Sequence, residues 1–93
     1  MREIIIFYLT GCPYCDAARR AVEELRQESP AYEALALRWI EENEERALAD
    51  SYDYYRVPSL FYGEDKLYEC SPLQGYETIK ARIRAAFDRV LTA

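Results

Sequence analysis

Apolar residues form one short continuous run near the start of the chain and then recur at helical spacing. Residues 4–9 are all apolar or aromatic, a pattern that predicts a strand buried on both faces. Beyond residue 12 the apolar positions return every three or four residues, which predicts one buried face of a helix. These positions are Tyr14, Ala18, Ala21, Val22 and Leu25. Pro13 suits the first position of this helix, and Ser29-Pro30 is expected to end it.

The middle of the chain predicts a second strand and a short second helix. Leu35–Ile40 is apolar enough to form a strand. Arg38 within it indicates an edge position or one face in water. Asn43 is expected to cap a short acidic helix that runs to about Ser51.

The last third predicts a hairpin followed by a long helix. Ser59–Tyr62 and Leu67–Glu69 are expected to pair around a turn at residues 63–66. Ser71-Pro72-Leu73-Gln74 matches a capping box with Ser71 as the cap. The apolar face of the helix consists of Tyr76, Ile79, Ile83, Ala86, Phe87 and Val90. The predicted order is therefore strand–helix–strand–helix–strand–strand–helix, an α/β fold.

Composition narrows the class of protein. A chain of 93 residues with 51% hydrophobic residues is expected to form one globular domain over residues 1–93. A formal net charge of −5 without a long basic block argues against nucleic acid and anionic membranes as partners. The apolar run at residues 4–9 is shorter than a signal-peptide core or a membrane span, so we expect a cytoplasmic protein.

The chemistry that the sequence indicates lies at Cys12 and Cys15. Structural disulfides are rare in the cytoplasm, so a Cys-x-x-Cys pair there favours redox or metal chemistry. A helix start offers unpaired N–H groups and the positive end of the helix dipole, and both stabilise a thiolate. We therefore expect Cys12 to be the nucleophile and Cys15, one helical turn further, to be the resolving thiol.

Essentially the whole chain resembles the glutaredoxins of the thioredoxin superfamily. The resemblance rests on Cys12-Pro13-Tyr14-Cys15 after the first strand and on Val57-Pro58-Ser59 before the third. It implies the thioredoxin fold, β-α-β-α-β-β-α, with a four-stranded mixed sheet flanked by three helices. It also implies a cis Pro58 beside the cysteines, with the backbone of Val57 exposed to an extended substrate. The implied activity is protein-disulfide oxidoreduction.

Several segments depart from the patterns of these relatives. Many glutaredoxins carry a basic residue shortly before the first cysteine, where this chain has Leu9-Thr10-Gly11. They commonly end the fourth strand with Gly-Gly and an acidic residue, where this chain has Glu69-Cys70-Ser71, and Arg56 stands where threonine is common. The thioredoxin pattern Trp-Cys-Gly-Pro-Cys is absent, and Ile6 occupies the position of the buried aspartate of thioredoxins. These departures favour a flavoenzyme reductant slightly over glutathione, although Arg56 offers some replacement for the missing positive charge.

The expected substrate-binding surface combines residues from three segments. Its members are Pro13, Tyr14, Arg56, Val57, Pro58, Cys70 and Ser71. Cys70 is either a third redox thiol or modification site, or a small residue that leads into the last helix. Three tyrosines before Val57 either form part of a docking surface or pack the second helix onto the sheet. They are Tyr52, Tyr54 and Tyr55.

Three classes of function fit these observations. The first is a monomeric dithiol oxidoreductase without a bound cofactor or metal, acting on disulfide-containing proteins and recharged by glutathione or a thioredoxin-reductase-type flavoenzyme. The second is an iron–sulfur or metal-binding module. Three cysteines and no histidine leave a monomer short of the four ligands of a structural zinc site, and Pro13 disfavours a bridged cluster by family analogy. The third is a non-enzymatic interaction domain on the same fold, which the presence of both cysteines argues against.

Overall fold

The sheet is built around its first strand. The structure is a computed structural model and describes residues 2–93. Strand β1 (Ile4–Tyr8) lies between β2 (Leu37–Glu41), which runs parallel to it, and β3 (Ser59–Tyr62), which runs antiparallel. Strand β4 (Asp65–Glu69) pairs antiparallel with β3, so the strand order is β2-β1-β3-β4. The predicted four-stranded mixed sheet is confirmed.

Two long and two short helices accompany the sheet within the described residues. Helices α1 (Pro13–Glu28) and α4 (Tyr76–Leu91) have 16 residues each. Helices α2 (Pro30–Glu33) and α3 (Arg46–Asp50) are single turns. The sequence pattern did not predict α2, which forms because Pro30 ends one helix and also suits the first position of the next. None of the helices described is long and apolar enough to cross a bilayer.

The two sides of β1 contact different structures. Ile4 and Ile6 join a large apolar cluster with residues of α1 and α4, which we call the helix face. Phe7 points to the opposite side and packs with Ile40, Ala49 and Phe61, a smaller cluster that we call the loop face. Residues from α3 and from the segment before β3 cover this second cluster, namely Leu48, Tyr52, Tyr54 and Val57. The uninterrupted apolar pattern of β1 therefore reports burial on both sides, as predicted.

Two predicted helix starts are wrong. Helix α3 begins after Glu45 and not at Asn43. The backbone N–H of Asn43 donates to Oε1 of Glu41 at 2.6 Å. Helix α4 begins after Gly75, so the capping box expected at Ser71 does not form. The box required the side chain of Gln74, which accepts a hydrogen bond from the Tyr68 hydroxyl at 2.5 Å instead. At α4, a hydrogen bond to a side chain of β4 has therefore replaced the predicted local cap.

The hairpin turn is tighter than the sequence pattern suggested. Only Gly63 and Glu64 separate the two strands, and β4 already begins at Asp65. Gly63 has a φ of +63°, in the left-handed region that tight hairpin turns require and that glycine adopts without strain.

Candidate active site

Cys12 lies at the start of α1, directly beyond the carboxyl end of β1. The chain turns sharply between the two elements, because the Cys12 amide donates to the carbonyl of Leu9 at 3.2 Å. Gly11 allows this turn with a φ of +83°. Cys12 is the N-cap residue, Pro13 is the first residue of the helix, and the Cys12 thiol is only partly buried. An accessible thiol therefore lies at the positive end of a 16-residue helix.

Cys15 occupies a different environment one turn further along. Its side chain is only 3% exposed, and its sulfur accepts a hydrogen bond from the Leu9 amide at 3.5 Å. Burial raises the pKa of the Cys15 thiol to about 12, with a further increase from its contact with Cys12 and a partial decrease from the Leu9 hydrogen bond. Cys15 is consequently a protonated thiol at neutral pH.

The loop before β3 is tied to the end of β4. The peptide bond between Val57 and Pro58 is cis, as the resemblance implies. The carbonyl of Pro58 accepts a hydrogen bond from the Cys70 amide at 3.0 Å. Oε2 of Glu69 accepts hydrogen bonds from the amides of Tyr55 and Arg56, each at 2.8 Å. These bonds give the loop a defined position without regular secondary structure.

A cleft of about 310 Å³ brings the three predicted segments together. Five of the seven predicted substrate-binding residues line it, namely Tyr14, Arg56, Val57, Cys70 and Ser71. Pro13 and Pro58 do not line it, and neither do Cys12 and Cys15. The structure thus places residues far apart in the sequence on one wall, while their role in binding stays a prediction.

Sequence reasoning missed three residues of this wall. They are Leu9, Glu42 and Pro72. Glu42 follows the end of β2, and its carboxylate accepts a hydrogen bond from the Tyr54 hydroxyl at 2.7 Å. Its position after the strand parallel to β1 is the signal that was available, because the carboxyl ends of parallel strands meet at one edge of a sheet.

Glu41 is a further residue that the sequence analysis did not single out, and it lies outside the cleft wall. Its Oε2 accepts a hydrogen bond from the Thr10 amide at 2.9 Å, and its Oε1 accepts the bond from Asn43 described above. These two hydrogen bonds hold the pKa of the Glu41 carboxyl below its usual value. Glu41 thereby connects the end of β2 to the loop that precedes Cys12.

Cys70 is a buried thiol on the cleft wall, with 2% exposure. Burial raises the pKa of Cys70, and the charge of Cys12 raises it further, while a hydrogen bond with Tyr68 and the charge of Arg56 lower it. The charge of Cys12 also raises the pKa of Cys15, so the three sulfurs lie close enough to interact electrostatically. All three are free thiols.

The three tyrosines before Val57 divide between the two expected roles. Tyr54 stacks on Phe7 with 4.9 Å between ring centroids, and Tyr52 meets Phe61 edge-on at 4.9 Å. Tyr55, in contrast, is 90% exposed. Packing therefore accounts for two of the tyrosines, and the third faces solvent beside the cleft.

Within residues 2–93 no group of three or more histidine, cysteine, aspartate or glutamate side chains is arranged to hold a metal ion. The short Cys12-to-Cys15 spacing brings two sulfurs together. Zinc in a structural site needs four such ligands.

Comparison with known proteins relates the fold to thioredoxins. No protein-family model matches the chain, and no curated protein matches it. Among solved structures it is similar to a mutant thioredoxin from Halobacterium salinarum NRC-1, with 27% sequence identity and a TM-score of 0.57. The match covers 91% of this chain and 74% of that one. A structure described only as that of a malarial protein matches with a TM-score of 0.59 and 14% identity, over 88% of this chain and 92% of that one.

The chain therefore has a thioredoxin-like α/β fold, and the similarity supports the thioredoxin superfamily. The predicted fold class is confirmed. The neighbour at 27% identity is a thioredoxin, and glutaredoxin specificity stays a prediction.

Proposed function

We propose that this protein is a thiol–disulfide oxidoreductase that reduces protein or mixed disulfides by a dithiol mechanism. The observation that carries the proposal is the contrast between two neighbouring thiols. Cys12 is partly exposed at the start of α1, whereas Cys15 is buried one turn further in. An accessible sulfur at a helix N-terminus suits nucleophilic attack, and a protected sulfur beside it suits resolution of the product.

The reaction proceeds in two exchanges. The Cys12 thiolate attacks one sulfur of the substrate disulfide, so a mixed disulfide forms at Cys12 and the other substrate sulfur leaves as a thiolate that takes up a proton. Cys15 then loses its proton and attacks the sulfur of Cys12. The second substrate thiol is released, and the protein is left with a disulfide between Cys12 and Cys15. The substrate gains two electrons and two protons, and the two cysteines lose them.

The environment of Cys15 suits this order of events. Burial is the main reason for its raised pKa, and its contact with Cys12 adds to it. Once Cys12 is bonded to substrate it carries no charge, so this second contribution disappears. Loss of the Cys15 proton therefore becomes easier only after the mixed disulfide has formed, which keeps the resolving thiol from competing as a first nucleophile.

We further propose a cytoplasmic monomer that is recharged by two electrons from glutathione or from a thioredoxin-reductase-type flavoenzyme. The cleft wall supports the flavoenzyme slightly better, because Arg56 is the one cationic residue among the side chains that line it. Incubating the oxidised protein separately with glutathione plus its reductase and with thioredoxin reductase separates the two routes. Turnover with neither system contradicts both.

The dithiol mechanism is tested by replacing each cysteine of the pair. Cys12→Ser is expected to abolish the reduction of insulin in an assay with dithiothreitol as the electron donor, with a loss of at least about 1,000-fold, because no other accessible thiol replaces it. Cys15→Ser is expected to accumulate a mixed disulfide on Cys12 that mass spectrometry detects. Circular dichroism of both variants checks that the fold is retained.

Alkylation supplies an independent measurement. In the native protein at pH 8, iodoacetamide is expected to modify Cys12 and leave Cys15 and Cys70 unmodified, because burial raises the pKa of both. In urea all three should react. Insulin reduction by folded Cys12→Ser, or a native Cys12 that reacts no faster than a thiol on an unstructured peptide, contradicts the proposal. Bound iron or zinc in the purified protein would favour the metal-binding alternative.

A further inference from the structure

Two large apolar side chains stand almost wholly in solvent beside the cleft. Leu73 is 93% exposed and Tyr55 is 90% exposed. Tyr55 lines the cleft itself, and Leu73 directly follows Pro72, which also lines it. A single exposed apolar residue needs no explanation. Two exposed apolar residues beside one cleft do require an explanation, because each of them is held in place by a side chain from another segment.

Leu73 is held by the motif that carries the cysteines. Its φ is +69°, in the left-handed region that a leucine rarely adopts. Its amide donates to the Tyr14 hydroxyl at 2.9 Å, a contact across 59 positions of sequence. Tyr14 lies between Cys12 and Cys15, so the start of α1 determines how Leu73 is displayed.

Tyr55 is held by the end of β4. The amides of Tyr55 and Arg56 share Oε2 of Glu69, as described above. The other carboxylate oxygen of Glu69 pairs with Lys66 at 2.8 Å. Since a carboxylate positions this backbone, the aromatic ring of Tyr55 is presented beside the cleft by a fixed segment.

Arg56 provides an unpaired positive charge between these features. Its side chain is exposed, and across residues 2–93 no carboxylate lies within ion-pair distance of its guanidinium. The acidic residue of the cleft, Glu42, is already engaged by the Tyr54 hydroxyl and by Arg46 at 3.6 Å. The cleft therefore offers its free charge to a carboxylate, although the chain as a whole is acidic, with a net charge of −5.

We propose that Leu73, Tyr55 and Arg56 form a docking surface for polypeptide substrates whose disulfide is flanked by an apolar and an acidic residue. The apolar residue covers Leu73 and Tyr55, and the carboxylate binds Arg56. A small hydrophilic disulfide has no apolar side chain with which to cover this surface. The inference rests on the proposed disulfide reduction at Cys12 and names the substrate class for it.

The test compares a peptide disulfide with a small one. The peptide carries leucine and glutamate next to its disulfide-bonded cysteine, a second peptide carries serine and glutamine there, and the small substrate is hydroxyethyl disulfide. Wild-type protein is expected to prefer the first peptide over the second by about tenfold in kcat/KM, since burying one apolar side chain supplies that much discrimination.

The decisive variant is Leu73→Asn. Asparagine accepts the left-handed backbone and keeps the amide bonded to Tyr14, but it removes the apolar side chain. The ratio of kcat/KM for the leucine peptide to that for hydroxyethyl disulfide is expected to fall about fivefold to tenfold. Leu91→Asn is the matched control, because Leu91 is 44% exposed at the far end of α4 and should leave the ratio at its wild-type value.

Separate outcomes overturn the docking surface and the chemistry. A ratio within twofold of wild type in Leu73→Asn, or no preference between the peptides, overturns the docking surface while disulfide reduction stands. Loss of turnover with every disulfide overturns the reduction, and docking is then measured by NMR with the reduced leucine peptide. Shifts at Leu73 and Tyr55 support docking, and their absence overturns it. The same shifts in concentrated protein alone would show that a second copy occupies the surface, which also overturns the proposal.

Discussion

The two faces of the sheet are covered by different kinds of structure. Two helices of 16 residues each cover the helix face. The loop face has only the single turn of α3 and the irregular segment of residues 51–58. A long helix bonds its own backbone internally and can bury an uninterrupted apolar side. An irregular segment needs side chains such as Glu69 to bond its amides, and it therefore stays near the surface, where it forms a wall of the cleft.

The difference extends to the residues that fill each side. The helix face is filled mostly by aliphatic and small side chains, and its three buried rings are Tyr32, Tyr68 and Phe87. The loop face uses aromatic rings, with Phe7 in contact with Tyr52, Tyr54 and Phe61 at centroid distances of 4.9 to 5.9 Å. Large rings cover a thin layer efficiently because each one buries much area. We therefore expect the helix face to supply most of the stability, while the loop face supplies one wall of the cleft.

The largest expected effect compares one aromatic truncation on each face. Phe87→Ala removes a ring with 0% exposure and is expected to lower the free energy of unfolding by about 3–5 kcal/mol. Tyr52→Ala removes a partly exposed ring on the loop face and is expected to cost about 2 kcal/mol. Urea denaturation measures both. Equal losses, or a larger loss at Tyr52, would contradict the assignment of stability to the helix face.

A smaller effect compares one hydroxyl on each face. Tyr32 donates to Oδ1 of Asp88 at 2.5 Å, and Tyr54 donates to Oε1 of Glu42 at 2.7 Å. Burial raises the pKa of Tyr54, so its hydroxyl stays protonated and donating at neutral pH. Tyr32→Phe and Tyr54→Phe are each expected to cost about 1 kcal/mol, since both lose one hydrogen bond to a carboxylate. Similar shifts in the urea midpoint for the two variants would show that the two faces differ in apolar packing and not in hydrogen bonding. A severalfold difference between the two shifts would contradict this and show that the faces also differ in hydrogen bonding.

The smallest expected effect is a dependence of stability on pH that arises from Glu41, the last residue of β2. The folded-state pKa of Glu41 lies below its usual value of 4.5 because its carboxylate accepts two backbone hydrogen bonds. A lowered folded-state pKa contributes stability that is present above the unfolded pKa and is lost as the pH falls through the folded one. The difference in urea midpoint between wild type and Glu41→Gln should therefore be present at pH 6 and shrink below pH 4.5. A difference that stays constant down to pH 3 would rule out this role for Glu41.

Sequence reasoning succeeded where a local pattern reports burial directly. The bounds of β3 match the structure, and α1 begins at Pro13 and ends just before Ser29-Pro30 as predicted. It failed at the starts of α3 and α4, where the residues suited to capping do not cap. The Gln74 side chain bonds to the Tyr68 hydroxyl instead, because a side chain suited to capping is equally suited to a bond with another element.

By itself, the sequence determined the order of the four strands and of helices α1, α3 and α4, although not the single turn of α2. It also determined the position of Cys12 at a helix start, because the order and this position follow from periodicity and from the signals at Pro13. The resemblance grouped Tyr14, Arg56 and Cys70 on one surface. Only the tertiary structure decided that Leu9, Glu42 and Pro72 line the cleft with them, while Pro13 and Pro58 do not. The same holds for the burial of Cys15 and for the left-handed backbone of Leu73, which depends on Tyr14, 59 positions earlier. Periodicity records whether a residue is buried, but not which distant residue buries it or bonds to it.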